Sequence, residues 1–252
     1  MAAWYPVCLN LEGRPCVVIG GGPEAERKVL GLREVGGRVT VISPTITRRL
    51  EEMAEQGLIQ VARRSYKRGD LDGAFLAIAA SEDRRANREI WQEAEQGRVV
   101  LNAVDDMPHC HFIAPAIYRQ GDLTVAISTA GKSPALGVRV RNRIGALIGP
   151  EYAAFLDMLG DLRSEMAARE PDPVRRAALW YRIVDSDAIQ YLRRGDVPGA
   201  RQRIMSLLDA GERIGVGEPM DAGEPTGHPD TRASDVEAVV ASGDQGENSG
   251  EA

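Results

Sequence analysis

Through roughly the first hundred positions, apolar residues gather into short unbroken runs. Between the runs they recur at three- and four-residue spacing, which predicts parallel strands alternating with amphipathic helices. The run Cys16-Val17-Val18-Ile19 stops at Gly20-Gly21-Gly22. From Glu24 to Val35, the positions Ala25, Val29, Leu32 and Val35 then share one helical face, and Gly36-Gly37 ends it. Arg38 to Ile42 reads as a second strand closing at Ser43-Pro44, followed by a helical stripe of Ile46, Leu50, Met53 and Ala54. Leu58 to Ala62 is a short third strand, and Phe75 to Ala80 is a fully apolar run suited to the middle of a parallel sheet. A helix from Arg84 to Gln96 and a fifth strand from Val99 to Val104 complete the alternation. The pattern predicts an α/β, doubly wound parallel sheet over residues 1–113.

The pattern then changes. Leu123 to Ser128 reads as a strand, Thr129 to Lys132 as a turn, and Ser133-Pro134 as a helix N-cap with proline at the first helical position. Leu136, Val140, Ile144, Leu147 and Ile148 make one apolar face before Gly149-Pro150, so residues 114–150 form a small strand-plus-helix segment. Beyond it the chain reads as helices only. Tyr152, Phe155, Leu156, Leu159 and Leu162 make a stripe, Pro171-Asp172-Pro173 breaks it, and two more amphipathic segments run to about Ile214, giving a helical domain over 151–216.

Composition changes this picture in one place. Residues 217–252 hold nine acidic residues against the single Arg232, a net charge of −8 in a chain of −6, and they are rich in Gly, Ser and Pro. This segment is expected to be an acidic disordered tail, and the rest of the chain carries +2. A mildly basic body leaves room for an anionic substrate and gives no electrostatic footprint for nucleic acid. No apolar stretch is long enough to span a membrane, and Met1 to Pro6 lacks the layout of a signal peptide. The three cysteines, Cys8, Cys16 and Cys110, are too few and scattered for a disulfide framework. These features predict a cytoplasmic protein.

Candidate chemistry begins at the glycine cluster. Gly20 can make the tight turn out of the first strand, Gly22 lets backbone approach a dinucleotide pyrophosphate, and Ala25 keeps the helix close to the sheet. The alternative is a plain strand-to-helix turn. Where a ribose-binding carboxylate usually ends the second strand, this chain has Ser43-Pro44-Thr45. A hydroxyl of Ser43 or Thr45 could meet the ribose, or Thr45 could simply cap the next helix. Asp105 stands beyond the fifth strand, where ligand crevices of open parallel sheets form, and is the candidate proton acceptor; Asp beside Pro is also a common turn former.

His109-Cys110-His111 alternates, putting both imidazoles on one side of an extended segment. A lasting metal site needs three or four converging ligands, and the only other histidine is His228 in the acidic segment. No permanent metal is expected, which leaves only transient metal handling by His109 and His111. Lys132, Arg139 and Arg143 could bind substrate carboxylates, with Ser128, Thr129 and Ser133 lining the same cleft; solvated helix edges and turn hydroxyls are the alternative roles.

Together these residues resemble the precorrin-2 dehydrogenase family, including the dehydrogenase/ferrochelatase module of sirohaem synthase. The likeness rests on Tyr5-Pro6-Val7, on the stretch from Gly20 to Lys28, on Ala79 to Asp83 with Asn87, on Asn102 to Asp105, on Phe112 with Pro115-Ala116, and on Ser128 to Leu136. They occur in family order over residues 4–165. The resemblance implies a Rossmann-type domain, a dimerisation segment at 114–150, and NAD-dependent oxidation of precorrin-2 to sirohydrochlorin by a homodimer. It makes Asp105 the general base and puts Pro23, Glu24, Pro44 and Thr45 beside the cofactor, with Ala80, Ser81 and Asn102 completing that wall. Thr129 stands where the family often has Ser, near the tetrapyrrole. A dehydrogenase with added ferrochelatase activity is the second reading, and a non-catalytic NAD-sensing module the third. No methyltransferase segment follows, so the fused sirohaem synthase is not expected. Helices after about Asp172 and the acidic segment are left without an assignment.

Overall fold

The computed structural model describes residues 4–81 and 83–213, in two compact units that divide between Gly149 and Pro150. The first unit is built on strands β1 (Pro15–Ile19), β2 (Arg38–Ile42), β3 (Gln60–Ala62), β4 (Leu76–Ala79) and β5 (Val100–Ala103). They form a parallel sheet in the order β3-β2-β1-β4-β5, with Val17 opposite Thr40 on one side and Ala77 on the other. Every residue of β4 is buried, as expected of a strand covered on both faces.

Helices α1 (Pro23–Glu34), α2 (Arg48–Glu55) and α3 (Arg84–Gly97) connect the strands. Ala25, Val29 and Leu32 of α1 are buried with Leu50 of α2 on one face of the sheet, and Ile90 and Ala94 of α3 on the other. Thr47, rather than Thr45, caps α2. Its hydroxyl oxygen accepts from Leu50 N at 3.3 Å and donates to Glu26 Oε2 at 2.5 Å, tying α2 to α1. Asp83 caps α3 by accepting from Arg85 N and Ala86 N at 2.8 and 3.2 Å.

Between 114 and 150 the structure has a hairpin plus a helix, not one strand plus a helix. Strands β6 (Ala116–Gln120) and β7 (Leu123–Ile127) pair antiparallel about Gly121-Asp122, with Gly121 at φ 57°. β6 alternates half-buried and exposed residues and so lacks the apolar run that marks the sheet strands. Helix α4 (Pro134–Leu147) departs from its predicted buried stripe, because only Gly137 is buried while Leu136 and Leu147 are 54% and 73% exposed. Small residues seat this helix: a Cβ on Gly137 would lie 3.6 Å from Ala116 Cβ, and one on Gly145 would lie 2.8 Å from the Tyr118 ring.

The second unit packs α5 (Glu151–Arg169), α6 (Pro173–Val184), α7 (Ala188–Arg193) and α8 (Val197–Arg213). Three helices follow the proline break where two were predicted, because the chain turns at Ser186 and again at Gly195, whose φ is 77°. The α5 stripe is shifted. Phe155, Leu162 and Met166 are buried with Leu179, Ile183 and Leu208, whereas Leu156 is exposed. The predicted tail and the last residues of the predicted helical domain lie outside the described residues.

Candidate dinucleotide and substrate site

The glycine turn joining β1 to α1 divides its work among three residues. Gly20 has φ 119°, and a Cβ there would stand 2.4 Å from the Ala80 carbonyl oxygen. A Cβ on Gly21 would stand 2.0 Å from the Thr45 carbonyl oxygen, so the β2–α2 loop closes directly on this glycine, a contact the sequence reading did not assign. Gly22 is exposed, with nothing within 4 Å of a Cβ position, and it caps the helix whose first N–H groups lack intrahelical acceptors. An open glycine at a helix start, walled by two close backbone contacts, fits a dinucleotide pyrophosphate. Pro23 sets the first helical position, and the Glu24 carboxylate is turned back to Arg27 and, at 3.4 Å, to Lys28, which neutralises an anion that would otherwise oppose phosphate.

Other predicted cofactor residues divide between mouth and scaffold. Pro44 and Thr45 are exposed at the carboxyl end of β2. Ser43 is buried, and its hydroxyl donates to the Thr45 carbonyl at 2.6 Å, so it shapes the loop. The Ser81 hydroxyl accepts from Asp83 N at 3.2 Å, and the Ser81 carbonyl accepts from Asn87 Nδ2 at 3.0 Å. Asn102 is a strut: its buried amide donates to the Phe112 carbonyl at 3.0 Å and ties the loop after β5 to the sheet.

Asp105 is exposed just past β5, with φ 59°, a left-handed conformation that Asp and Asn tolerate better than most residues. Half-buried Lys28 of α1 lies within electrostatic reach of it. Burial and then Arg27 lower the proton affinity of the Lys28 ammonium, while Asp105 and Cys110 oppose that. Lys28 falls within the glycine motif, where its sequence position alone indicates no role. Beneath the loop, Cys110 Sγ accepts from Ala103 N at 3.3 Å and donates to the Ala103 carbonyl at 3.1 Å.

Burial pushes the thiols of both Cys16 and Cys110 up, which shrinks the thiolate fraction at a given pH. A thiol-disulfide reagent at neutral pH is therefore expected to modify exposed Cys8 first, with Cys16 and Cys110 reacting faster as pH rises or on unfolding. Three equally fast thiols in the native protein would contradict that packing.

The alternation assumed an extended segment, but His109 closes a short 3-10 turn, Met107–His109, and each histidine is engaged. His109 Nδ1 lies 2.7 Å from Asp106 Oδ2, with its ring 4.8 Å from that of Trp91. His111 Nδ1 accepts from Leu101 N at 3.1 Å, which leaves Nε2–H to donate to Glu95 Oε1 at 2.6 Å. Among the described residues, no group of three or more His, Cys, Asp or Glu side chains converges as a metal site would require.

The turn before α4 lies against the loop that follows β5. Ala130 and Gly131 have φ 49° and 76°, and a Cβ on Gly131 would stand 2.7 Å from the Met107 methyl carbon. The turn thus rests on Met107, two residues beyond Asp105. Its hydroxyls are used to build it: Ser128 accepts from Ala130 N, Thr129 from Ser133 N and Ser133 from Leu136 N, at 3.2, 3.2 and 3.3 Å. Lys132, Arg139 and Arg143 are exposed on the turn and on α4.

A 3-2-1-4-5 parallel sheet whose first strand runs through a glycine turn into a helix defines a dinucleotide-binding protein of Rossmann type. Three family models agree in order along the chain: an NAD(P)-binding domain over residues 7–116, the sirohaem biosynthesis protein central region over 120–147, and the sirohaem synthase dimerisation region over 151–208. The chain thus carries, in order, the domains of sirohaem biosynthesis proteins that these three models describe. It is 32% identical over 229 residues to a siroheme synthase of Thioalkalivibrio sulfidiphilus, covering 90% of this chain and 47% of that protein. It is 34% identical over 227 residues to siroheme synthase 1 of Aeromonas salmonicida, covering 90% and 48%. The chain therefore spans about half the length of the curated relatives it matches. Among solved structures, SirC, a precorrin-2 dehydrogenase, superposes with a TM-score of 0.66 at 25% identity, covering 81% of this chain and 100% of that one. The dimerisation model falls on the helical unit and so includes the helices after Asp172 that the sequence reading left unassigned. Among the described residues, no helix is long and apolar enough to cross a membrane.

Proposed function

We propose that this chain oxidises precorrin-2 to sirohydrochlorin with NAD, as a homodimer in the cytoplasm. The observation that carries the reading is the packing of the Thr129–Ser133 turn on Met107, which gathers the substrate segment around the Asp105 loop of a dinucleotide fold. Bound at the glycine turn, NAD supplies a hydride acceptor. The oxidation removes two hydrogens from the macrocycle, one as hydride and one as a proton. Asp105 takes the proton, since its exposed carboxylate stands at the strand ends where such crevices form. Lys28 lies within electrostatic reach of that carboxylate. Gly22 and the first N–H groups of α1 hold the pyrophosphate, with the Thr45 hydroxyl at the ribose. Lys132, Arg139 and Arg143 meet the substrate carboxylates by charge-assisted hydrogen bonds. Exposed Leu136, Val138 and Leu147 of α4 support burial against a second copy.

An anaerobic assay with enzymatically made precorrin-2 tests the reading. NADH and sirohydrochlorin are expected in equal amounts; no reduced dinucleotide with either NAD or NADP would refute it. Adding Fe²⁺ or Co²⁺ afterwards asks separately whether the chain is also a ferrochelatase.

A further inference from the structure

We propose that Asn87 is a positioning residue for the dinucleotide, because its amide fixes the Ser81 carbonyl, one residue beyond the Ala80 carbonyl that walls the glycine turn. The inference rests on the reading that this turn takes a dinucleotide. Asn87 lies in α3, one turn beyond its cap, with its backbone N–H donating to the Asp83 carbonyl at 2.9 Å. It is only 8% exposed, and Nδ2 donates to the Ser81 carbonyl at 3.0 Å. Its Oδ1 is the one buried side-chain oxygen or nitrogen among the described residues with no hydrogen-bond partner. Turning the amide over does not relieve this, since the oxygen would then face the Ser81 carbonyl oxygen, acceptor against acceptor.

Asn87 therefore carries two disadvantages for one hydrogen bond: asparagine is a poor helix-interior residue, and its carbonyl is desolvated without return. A leucine, one turn before buried Ile90 on the same helix, would carry neither. What the amide secures is local. The Ala80 carbonyl oxygen and carbon would stand 2.4 and 2.8 Å from any Cβ on Gly20, so this peptide forms one wall of the turn. The Ser81 hydroxyl is already used by Asp83 N, and Ala80 N by the Ile19 carbonyl at 2.8 Å. The Ser81 carbonyl belongs to the next peptide, and by holding it Asn87 fixes the chain directly beyond that wall.

The test separates positioning from stability by measuring NAD affinity calorimetrically and the thermal midpoint without ligand, on the full chain. Asn87→Leu should keep or raise the midpoint, because the orphaned oxygen is gone, and should weaken NAD binding about tenfold through loss of the bond that fixes the chain beyond the wall. Asn87→Asp, which has no N–H to give to Ser81, should weaken binding similarly, and it is the deciding variant if the leucine form does not fold. NAD binding by the deciding variant within about twofold of the parent would overturn the proposal, as would a midpoint and affinity that fall together in Asn87→Leu while Asn87→Asp binds normally. A parent chain that binds neither NAD nor NADP would overturn the dinucleotide reading itself, and this proposal with it.

Discussion

Asp105→Asn is expected to lower precorrin-2 oxidation by about 10²- to 10⁴-fold, the usual contribution of a positioned general base, while NAD affinity changes less than about twofold. The choice of asparagine follows from the backbone. Asp105 sits at φ 59°, and of the non-glycine residues asparagine and aspartate visit that region most readily. The substitution therefore removes the proton acceptor and leaves the loop unstrained, whereas alanine would add roughly 1–2 kcal/mol of left-handed strain and confuse the two effects. The dinucleotide contacts are assigned to Gly20, Gly22 and Thr45, on the β1–α1 and β2–α2 loops and not on the loop after β5, which is why binding is expected to survive. Anaerobic single-turnover formation of NADH, set beside calorimetric NAD binding, reads both quantities. A variant with near-parental turnover would remove Asp105 from the chemistry, and one that also loses NAD would make it part of the binding wall.

Much of this site was legible because its scaffold writes itself plainly. Strands buried on both faces are apolar throughout, so β1 and β4 stand out within a residue of their observed ends, and β2 is marked by buried Val39, Val41 and Ile42 despite Arg38 and Thr40. β6 was missed because one of its faces is exposed and its five residues Ala-Ile-Tyr-Arg-Gln carry no run; the Gly121-Asp122 turn was its only mark. Hydroxyls were harder still. Ser43, Ser128 and Ser133 look like ligand groups in the sequence, yet each bonds within its own turn, and those turns depend on nearby conformations such as φ 49° at Ala130 that residue identity does not announce. Asn102 and Asn87 are partnered across sequence gaps or loops, so spacing alone could not separate strut from ligand.

The glycine turn yields a paired prediction, because Gly21 and Gly22 are neighbours with opposite surroundings. Gly21→Ala places a Cβ 2.0 Å from the Thr45 carbonyl oxygen, 2.8 Å from Ser43 Oγ and 2.9 Å from Ile46 Cγ2. The first of these is backbone and cannot swing aside. It is held by the Ser43 hydroxyl, and Thr47 N donates back to the Gly21 carbonyl at 3.0 Å. Relief requires the whole β2–α2 loop to move, so a loss of about 1–3 kcal/mol is expected, as for overpacking elsewhere. Gly22→Ala meets nothing within 4 Å. It should cost no more than about 1 kcal/mol as a poorer N-cap. Its Cβ nevertheless stands where a pyrophosphate must come close, so NAD binding should fall by about tenfold or more with the fold intact. Urea denaturation without ligand, followed by NAD titration of both variants, separates the roles. Unchanged NAD affinity in Gly22→Ala would move the pyrophosphate away from that residue, and an unchanged denaturation midpoint in Gly21→Ala would contradict the close contact with Thr45. Loss of stability in one variant and loss of affinity in the other is the pattern expected if the turn is both a packing joint and a phosphate cradle.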